Sequence, residues 1–313
     1  MKTKNLGVVV FLVALACMMG PASAATVNVD PSMSNTAIQN DITGATAGDT
    51  INFAPGTYNG ISLTITKALN MVGNGANLVG SGSSIMTISS TTGLNITGFN
   101  ININSNSANG ITGSSVVSCN IKNNTITNGG DAINIFSMYK DLTVDNNTIT
   151  TMTTKHGDAI SLVNHDANLE TATTSRVTNN VIDNAIYGIF LGGNFNGTVS
   201  GNTITNTQIG MNITGKHNAS LGQLNASIVN NVISGIAMEA PHIMYLNLSG
   251  NTINGLGSTG YSILNTTNGG IAYYHKDGTI SVTNNNFTAP VFTTFYNQAD
   301  VWDGNLLNGN PYT

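Results

Sequence analysis

A short pattern of apolar and polar residues returns along most of the chain. An apolar residue is followed by a polar residue, by Asn-Asn or Gly-Asn, by one variable residue and by a second apolar residue, as in IKNNTI at 121–126. The second Asn of the pattern falls at Asn124, Asn147, Asn180, Asn202, Asn231, Asn251 and Asn285. Apolar residues that alternate with polar ones are typical of short β-strands, and Asn and Gly between them predict turns with a left-handed backbone.

The spacing of this pattern predicts how the strands assemble. Neighbouring Asn residues of the pattern are 23, 33, 22, 29, 20 and 34 residues apart, so the longer units look like the short ones with insertions. A second apolar pair recurs between them, for example Ala132-Ile133 and Ala159-Ile160, and no unit has a helical period long enough for a covering helix. Such units can stack as turns of a coil about 4.8 Å apart, with Ile and Val inside and the Asn amides in a hydrogen-bonded ladder. The chain is therefore predicted to be all-β, a single parallel β-helix solenoid over residues 25–313 with a C-terminal cap at 286–313.

Composition supports this fold and excludes some partners. Only 7% of the 313 residues are charged, whereas 48 are Asn and 41 are Thr. Asn and Thr are poor helix formers, and the recurring Ile and Val argue against disorder. Few charges suit a stack in which equivalent positions of neighbouring coils lie close together. The 9 Lys and Arg residues are too few and too scattered to bind a phosphate backbone, which excludes nucleic acid as a partner.

The first 24 residues have the pattern of an export signal. Two lysines precede an apolar run over residues 6–19, and Ala22-Ser23-Ala24 forms a small-residue cleavage site. The run is too short for a membrane span, and no later stretch is predicted to cross a membrane. Cleavage would leave Cys119 as the single cysteine, which excludes an internal disulfide. Residues 1–24 are therefore predicted to be a signal peptide, and the mature protein is predicted to be extracellular or at the cell surface.

The start of the coil resembles a known superfamily. Residues 47–58 (AGDTINFAPGTY), followed by LNMVG at 69–73, are similar to the opening coils of pectate-lyase-like proteins. This resemblance covers almost all of the chain after residue 24 and implies a right-handed parallel β-helix. The superfamily includes lyases, hydrolases, esterases and surface proteins, so it is specific for fold and not for function. The Asn-rich, charge-poor version with an export signal most resembles the adhesin-like surface proteins of methanogenic archaea.

Ionisable residues concentrate in the unit between Asn147 and Asn180, where an insertion could form a binding face. Within it, HGDAI at 156–160 echoes GGDAI at 129–133. If these strings stack, Asp131 and Asp158 lie on neighbouring coils roughly 5 Å apart. The candidate catalytic residues are Asp131, Asp158, Lys155 and His156, and the candidate binding residues are His165, Asp166, Glu170 and Arg176.

Two carboxylates at that separation have two interpretations. They could form the acid–base pair of a glycoside hydrolase, or hold Ca²⁺ in a polysaccharide lyase in which Lys155 or Arg176 removes a proton. Alternatively, each Asp caps a turn by accepting hydrogen bonds from backbone N–H groups, which is the favoured interpretation. The strings resemble the Gly-Asp-Asp strings of the polygalacturonase branch, but Ala replaces the second Asp in both, which counts against that mechanism.

The favoured function is therefore non-catalytic. Rows of amides and hydroxyls suit a polysaccharide or another cell's envelope, and an adhesin-like surface protein without a resident cofactor is expected. A lyase or hydrolase acting on acidic polysaccharide, with Ca²⁺ in the lyase case, is the alternative. Asn218 and Asn225, in Asn-x-Ser sequences assigned to an inserted loop, are the candidate glycosylation sites.

Overall fold

The chain winds as a coil in which most turns contribute one strand to each of three sheets, here named A, B and C. The structure is a computed structural model, and it describes residues 23–80, 82–105, 107–152, 157–164, 174–214, 223–239, 242–256, 262–265, 275–291 and 297–313. Over these residues, neighbouring coils pair in parallel in each sheet, and only the last two strands of sheet B are antiparallel. The predicted right-handed parallel β-helix is confirmed.

The strands are short and follow one another from sheet A to sheet B to sheet C. Sheet A contains β1 (Thr26–Val29), β2 (Thr50–Phe53), β5 (Asn70–Val72), β8 (Asn95–Thr97), β11 (Asn120–Lys122), β14 (Thr143–Asp145), β17 (Ser175–Thr178), β20 (Phe195–Ser200), β23 (Gln223–Val229), β26 (His242–Ser249), β29 (His275–Thr283) and β31 (Val301–Asp303). Sheet B contains β3 (Thr57–Asn59), β6 (Asn77–Gly80), β9 (Asn100–Ile103), β12 (Thr125–Thr127), β15 (Thr148–Met152), β18 (Val181–Ala185), β21 (Thr203–Thr205), β24 (Val232–Ile233), β27 (Thr252–Ile253), β30 (Asn286–Phe287), β32 (Leu306–Leu307) and β33 (Asn310–Pro311). Sheet C contains β4 (Leu63–Ile65), β7 (Ser84–Thr92), β10 (Asn109–Val117), β13 (Ile133–Lys140), β16 (Asp158–Asn164), β19 (Tyr187–Gly193), β22 (Ile209–Thr214), β25 (Ile236–Glu239) and β28 (Ile263–Asn265).

The Asn-Asn and Gly-Asn pairs form the turns between sheets A and B. The first residue of each pair has a left-handed backbone, with φ of 56° at Asn123 and 66° at Gly201, a conformation that Asn and Gly adopt more easily than other residues. The second residue of the pair points inward and is almost completely buried, as Asn202 is at 1% exposure. The two positions therefore need different properties, which is why Gly replaces Asn only at the first.

The buried Asn residues form the predicted ladder. In each rung the backbone N–H and side-chain Nδ2 donate to Oδ1 of the next Asn, at 2.9 Å from Asn180 to Asn202. The series begins where Phe99 N donates to Asn124 Oδ1, and it continues past Asn285 to Asn305. Part of the region assigned from sequence to the cap is therefore a further rung of the solenoid.

Inward-facing apolar residues fill the bore from end to end. Ile, Val, Leu and Met alternate with outward polar residues, and the paired strands align them in columns such as Ile133, Ile160 and Ile189. Cys119 belongs to this core, as predicted, because it is 1% exposed and burial raises the pKa of its thiol. The core thus replaces disulfides as the source of stability.

A helix that the sequence pattern did not indicate packs at the N-terminal end of the coil. Helix α1 (Asn35–Gly44) begins after Ser34, whose hydroxyl accepts a hydrogen bond from Ala37 N, and it buries Ile38 and Ile42. The Gln39 side chain bonds both the N–H and the carbonyl of Thr64 in edge strand β4. The helix therefore satisfies part of an exposed edge, which would otherwise be free to pair with another chain.

The C-terminal end is closed by aromatic rings and a hairpin. Trp302 stacks on Phe287 with centroids 5.7 Å apart, and Tyr312 meets both rings edge-on. Trp302 Nε1 also donates to the Tyr312 carbonyl at 2.7 Å. Strands β32 and β33 pair antiparallel and end sheet B. Among the residues described, no helix has the length and apolar character required to cross a membrane.

Candidate functional site

The two aspartates singled out from the sequence lie on neighbouring coils, as predicted. Ile133 pairs with Ile160, so the strings that contain Asp131 and Asp158 are in register. The backbone N–H of Asp158 donates to Asp131 Oδ1 at 3.2 Å. Both residues lie where the chain enters sheet C, so their position is set by the same register that stacks the core.

The Asp131 carboxylate is used within the fold. Its Oδ1 accepts the hydrogen bond from Asp158, its Oδ2 accepts one from Asn134 Nδ2 at 2.6 Å, and the residue is 6% exposed. One coil earlier, Asn109 Oδ1 accepts from the Asp131 N–H at 3.1 Å in the same way. Asn109 and Asp131 thus form a short second ladder, and turn stabilisation explains Asp131 without any ligand.

Asp158 is the residue of this pair whose carboxyl could take part in proton transfer. Burial raises the pKa of its carboxyl to about 7, the negative charge of Asp131 adds to that increase, and a hydrogen bond with Ser161 opposes it. A carboxyl with this pKa exchanges its proton near neutral pH, as a general acid or base must. Glycoside hydrolysis requires two accessible carboxyl groups. Because Asp131 is buried, this pair offers only that of Asp158.

Aromatic side chains lie next to Asp158 on sheet C. Tyr187 is its partner in β19, and the Tyr187 ring meets that of Phe190 edge-on with centroids 6.0 Å apart. Phe190 in turn pairs with the buried Ser161. This surface combines apolar rings with a proton-exchanging carboxyl, which is the strongest feature in favour of the enzymatic alternative.

The carboxylate pair does not fit a Ca²⁺ site. Calcium binds six to eight oxygen ligands, yet both oxygens of Asp131 already accept hydrogen bonds from protein donors. Within the described part of the chain, no group of three or more His, Cys, Asp or Glu residues is placed to hold a metal ion.

Arg176 does not join the carboxylates, which corrects the idea that it could be their partner base. It lies in β17 of sheet A, between Thr143 and Thr198, whereas Asp158 begins a strand of sheet C. Residues of the same sequence unit thus lie on different sheets of the coil. The remaining candidates of this unit lie outside the described residues: Lys155, His156, His165, Asp166 and Glu170.

Asn225 is also placed differently from the prediction. It lies in strand β23 and not in an inserted loop, with Asn196 and Tyr245 beside it on the two neighbouring strands. The alternation of apolar Leu224, Ala226 and Ile228 was the sequence signal for this strand. Asn218, the other candidate glycosylation site, lies outside the described residues.

The outer surface of sheet A carries a row of polar side chains that no single sequence motif indicated. One row across its strands, here called the polar row, consists mainly of amides and hydroxyls at Asn70, Asn95, Asn120, Thr143, Arg176, Thr198, Ser227, Asn247 and Ser281. Asn120 Nδ2 donates to Asn95 Oδ1, and Asn95 Nδ2 donates to Asn70 Oδ1, both at 2.7 Å. The amides of Asn70, Asn95 and Asn120 are thereby oriented relative to one another, in a row made mainly of uncharged side chains.

The fold and this surface together define the class of protein: a right-handed parallel β-helix with a polar outer sheet. No protein-family model matches the chain, and no curated protein is similar to it in sequence.

Solved structures share the fold. An alginate lyase from Paenibacillus sp. strain FPU-7 is 17% identical with a TM-score of 0.50, over 85% of this chain and 96% of that one. A polygalacturonase from Erwinia carotovora is 14% identical with a TM-score of 0.50, over 94% and 95%. The tailspike protein of an E. coli bacteriophage, solved with a pentasaccharide, is 12% identical with a TM-score of 0.51, over 88% and 62%. At these identities the similarity shows the fold alone.

Proposed function

We propose that this protein is an exported, non-catalytic surface protein of the adhesin type that binds polysaccharide on the outer face of sheet A. The supporting observation is the polar row, in which oriented amides and hydroxyls repeat from coil to coil. A sugar chain offers many hydroxyls and little charge, so a neutral surface with both donors and acceptors complements it.

The geometry of the row suits a long ligand. Within the row, Asn95 uses one N–H and its oxygen, Asn120 uses one N–H, and Asn70 uses its oxygen. One amide N–H of Asn95 and one of Asn120 therefore remain for a ligand. The residues of the row are spaced by the distance between strands, about 4.8 Å, and a sugar polymer can follow several of them. Weak contacts repeated along one ligand add up to useful affinity.

The comparisons add support of a general kind. The similar structures include an alginate lyase, a polygalacturonase and a tailspike protein bound to a pentasaccharide. These names connect three proteins of this fold with carbohydrate, and they support a carbohydrate ligand for this chain by analogy of fold.

Export and processing after Ala24 belong to the same proposal. Strand β1 begins at Thr26, and the backbone nitrogen of Ala25 donates to Asp49 Oδ1 at 2.7 Å. Cleavage after Ala24 would convert this nitrogen into a charged amino group facing a carboxylate, which is a favourable pairing. Mass spectrometry of the secreted protein should identify Ala25 as its first residue.

Binding and depolymerisation assays on the same polysaccharides test the proposal. The purified protein should be retained by at least one insoluble or immobilised cell-wall polysaccharide without releasing reducing or unsaturated ends. Replacement of both Asn95 and Asn120 by Ala should weaken retention, whereas the matched change of Thr125 and Thr148 on sheet B should not. A wild-type protein that binds no polysaccharide would refute the proposal.

A polysaccharide lyase or hydrolase remains the second candidate because the pKa of Asp158 is raised to about 7. Its signature would be release of sugar ends from polygalacturonate or alginate with a pH dependence near 7. Asp158→Asn should then abolish release, and Arg176→Ala should leave it unchanged because Arg176 lies on another sheet. Such a result would replace the binding proposal.

A further inference from the structure

A break in the regular register occurs in β26 on the outer face of sheet A. Leu224 pairs with Ile243 and Asn225 pairs with Tyr245, so Met244 is an extra residue, as in a β-bulge. On the other side, Ile243 pairs with Lys276 and Tyr245 with Thr279, so the next coil also contains extra residues. Two successive side chains consequently face outward, with Met244 37% exposed and Tyr245 43% exposed.

The next coil preserves this bulge through a glycine. A Cβ atom at Gly278 would lie 1.8 Å from the carbonyl oxygen of Met244, a distance that no side chain permits. The two backbones can approach only because residue 278 has no side chain. The bulge is therefore built into the sequence of both coils, and it adds the exposed Met244 beside Tyr245 on this face.

Tyr245 forms one side of a shallow groove of about 280 Å³, here called the Tyr245 groove. Asn225 and Asn196 continue the row of Tyr245 onto the two preceding strands. Two positions further along the strands, Ser227 and Thr198 also line the groove, and Thr174 lines it where β17 is about to begin. The groove thus has one aromatic ring, two amides and three hydroxyls around a common space.

These groups match an uncharged pyranose sugar. The C–H face of a pyranose packs on an aromatic ring, and its hydroxyls both donate and accept hydrogen bonds, as amides and side-chain hydroxyls do. None of the groove-lining side chains carries a formal charge at neutral pH, so none pairs with the carboxylate of a uronic acid. Arg176 lies on the strand before Thr198, just beyond this set, and anionic sugars are therefore a necessary comparison.

We infer that the Tyr245 groove is a subsite for an uncharged pyranose unit, in which Tyr245 stacks on the sugar and Asn225 and Asn196 bond its hydroxyls. This inference rests on the proposed carbohydrate-binding function, for which it names a specific position and a class of sugar.

Calorimetric titrations with defined oligosaccharides test the inference. The probes are the neutral hexasaccharides of cellulose, β-1,3-glucan, mannan and starch, with hexagalacturonate and hexamannuronate as anionic comparators. Tyr245→Ala should weaken binding of a neutral hexasaccharide by about tenfold or more, and Tyr245→Phe should bind nearly as well as the wild type because the ring is kept. Met244→Ala is the matched control, because Met244 is equally exposed on the same bulge but does not line the groove.

The outcomes separate this subsite from the general proposal. If the wild type binds a neutral hexasaccharide and Tyr245→Ala binds it equally well, the subsite is refuted while carbohydrate binding stands. If only the anionic probes bind, the assignment to uncharged sugar is wrong. Peptide mapping that finds a covalent glycan on Asn225 or Asn196 of the secreted protein would also overturn it, because that glycan would fill the groove. Matching circular dichroism spectra and melting temperatures must show that each variant is folded.

Discussion

Removal of one rung from the buried Asn ladder should destabilise the protein far more than removal of an outer Asn. Asn202 is 1% exposed, and its side chain takes part in five hydrogen bonds with Asn180, Asn231, Val177 and Ser200. Asn202→Ala deprives the Asn180 N–H and the Val177 carbonyl of these partners in a buried site. A buried polar group that loses its partner costs about 1–3 kcal/mol, so the variant should lose roughly 3–6 kcal/mol when the small cavity is included.

Two further variants make the comparison specific. Asn120→Ala removes an amide of the partly exposed outer row, where water replaces the lost bonds, and should cost less than about 1 kcal/mol. Asn202→Asp keeps the Oδ1 acceptor but turns an acceptor oxygen towards the carbonyls of Val177 and Ser200. It should therefore be less stable at pH 7 than at pH 4, where the carboxyl can be protonated and donate.

Guanidinium unfolding followed by far-UV circular dichroism measures these free energies. Trp302, the single tryptophan, reports separately on the C-terminal end by fluorescence. Coincident transitions of the two signals would show that the solenoid unfolds as one unit, which the free-energy comparison requires. If Asn202→Ala and Asn120→Ala unfold at the same denaturant concentration, the buried Asn ladder does not stabilise the coil more than the outer Asn residues do.

Three other expectations follow from particular side chains. Because the pKa of Asp158 rises from an ordinary 3.8 to about 7 in the folded protein, the wild type should lose up to about 4 kcal/mol of stability as pH rises from about 4 to 7. Asp158→Asn should remove this dependence, and parallel stability profiles of the two proteins between pH 4 and 8 would contradict it. Trp302→Ala removes the ring stacked on Phe287, so it should cost about 2 kcal/mol of stability and promote self-association, whereas Trp302→Phe should retain most of the stability. Melting curves measure the stability and light scattering measures the association. If Trp302→Ala equals the wild type in both measurements, Trp302 does not cap the coil. Cys119 is buried and the pKa of its thiol is raised, so it should react with a thiol reagent at least about tenfold more slowly in the native protein than in the unfolded protein. Equal reaction rates would show that this part of the core opens freely.

The repeat made the coil predictable because it depends on local rules. From the turn after β11 to the turn after β31, each connection between sheets A and B has a left-handed residue followed by a buried amide, and Asn-Asn or Gly-Asn meets both needs. Two features were not predicted, for different reasons. Helix α1 has an N-cap at Ser34 and buried Ile38 and Ile42 at helical spacing, a recognisable but isolated signal. The segment WDGNLL at 302–307 does follow the repeat, but its rung at Asn305 lies within the residues assigned from sequence to the cap.

The candidate site was predictable only in part. The shared Gly-Asp-Ala-Ile strings correctly predicted that Asp131 and Asp158 are neighbours, since identical strings stack in register. The engagement of Asp131 by Asn134 could not be read from the sequence, nor could the separation of Arg176 onto sheet A. The first is a local contact that depends on side-chain orientation, and the second depends on the pairing of β17 within sheet A.

The amino-acid sequence by itself determined the solenoid, the inward apolar columns and the ladder of buried Asn, because each is set by residues within one short repeat. The tertiary structure decided which outward side chains share a surface, because residues adjacent across sheet A are separated by some 20 to 34 positions whose number varies from coil to coil. The row that joins Asn196, Asn225 and Tyr245 therefore exists only once three coils have stacked.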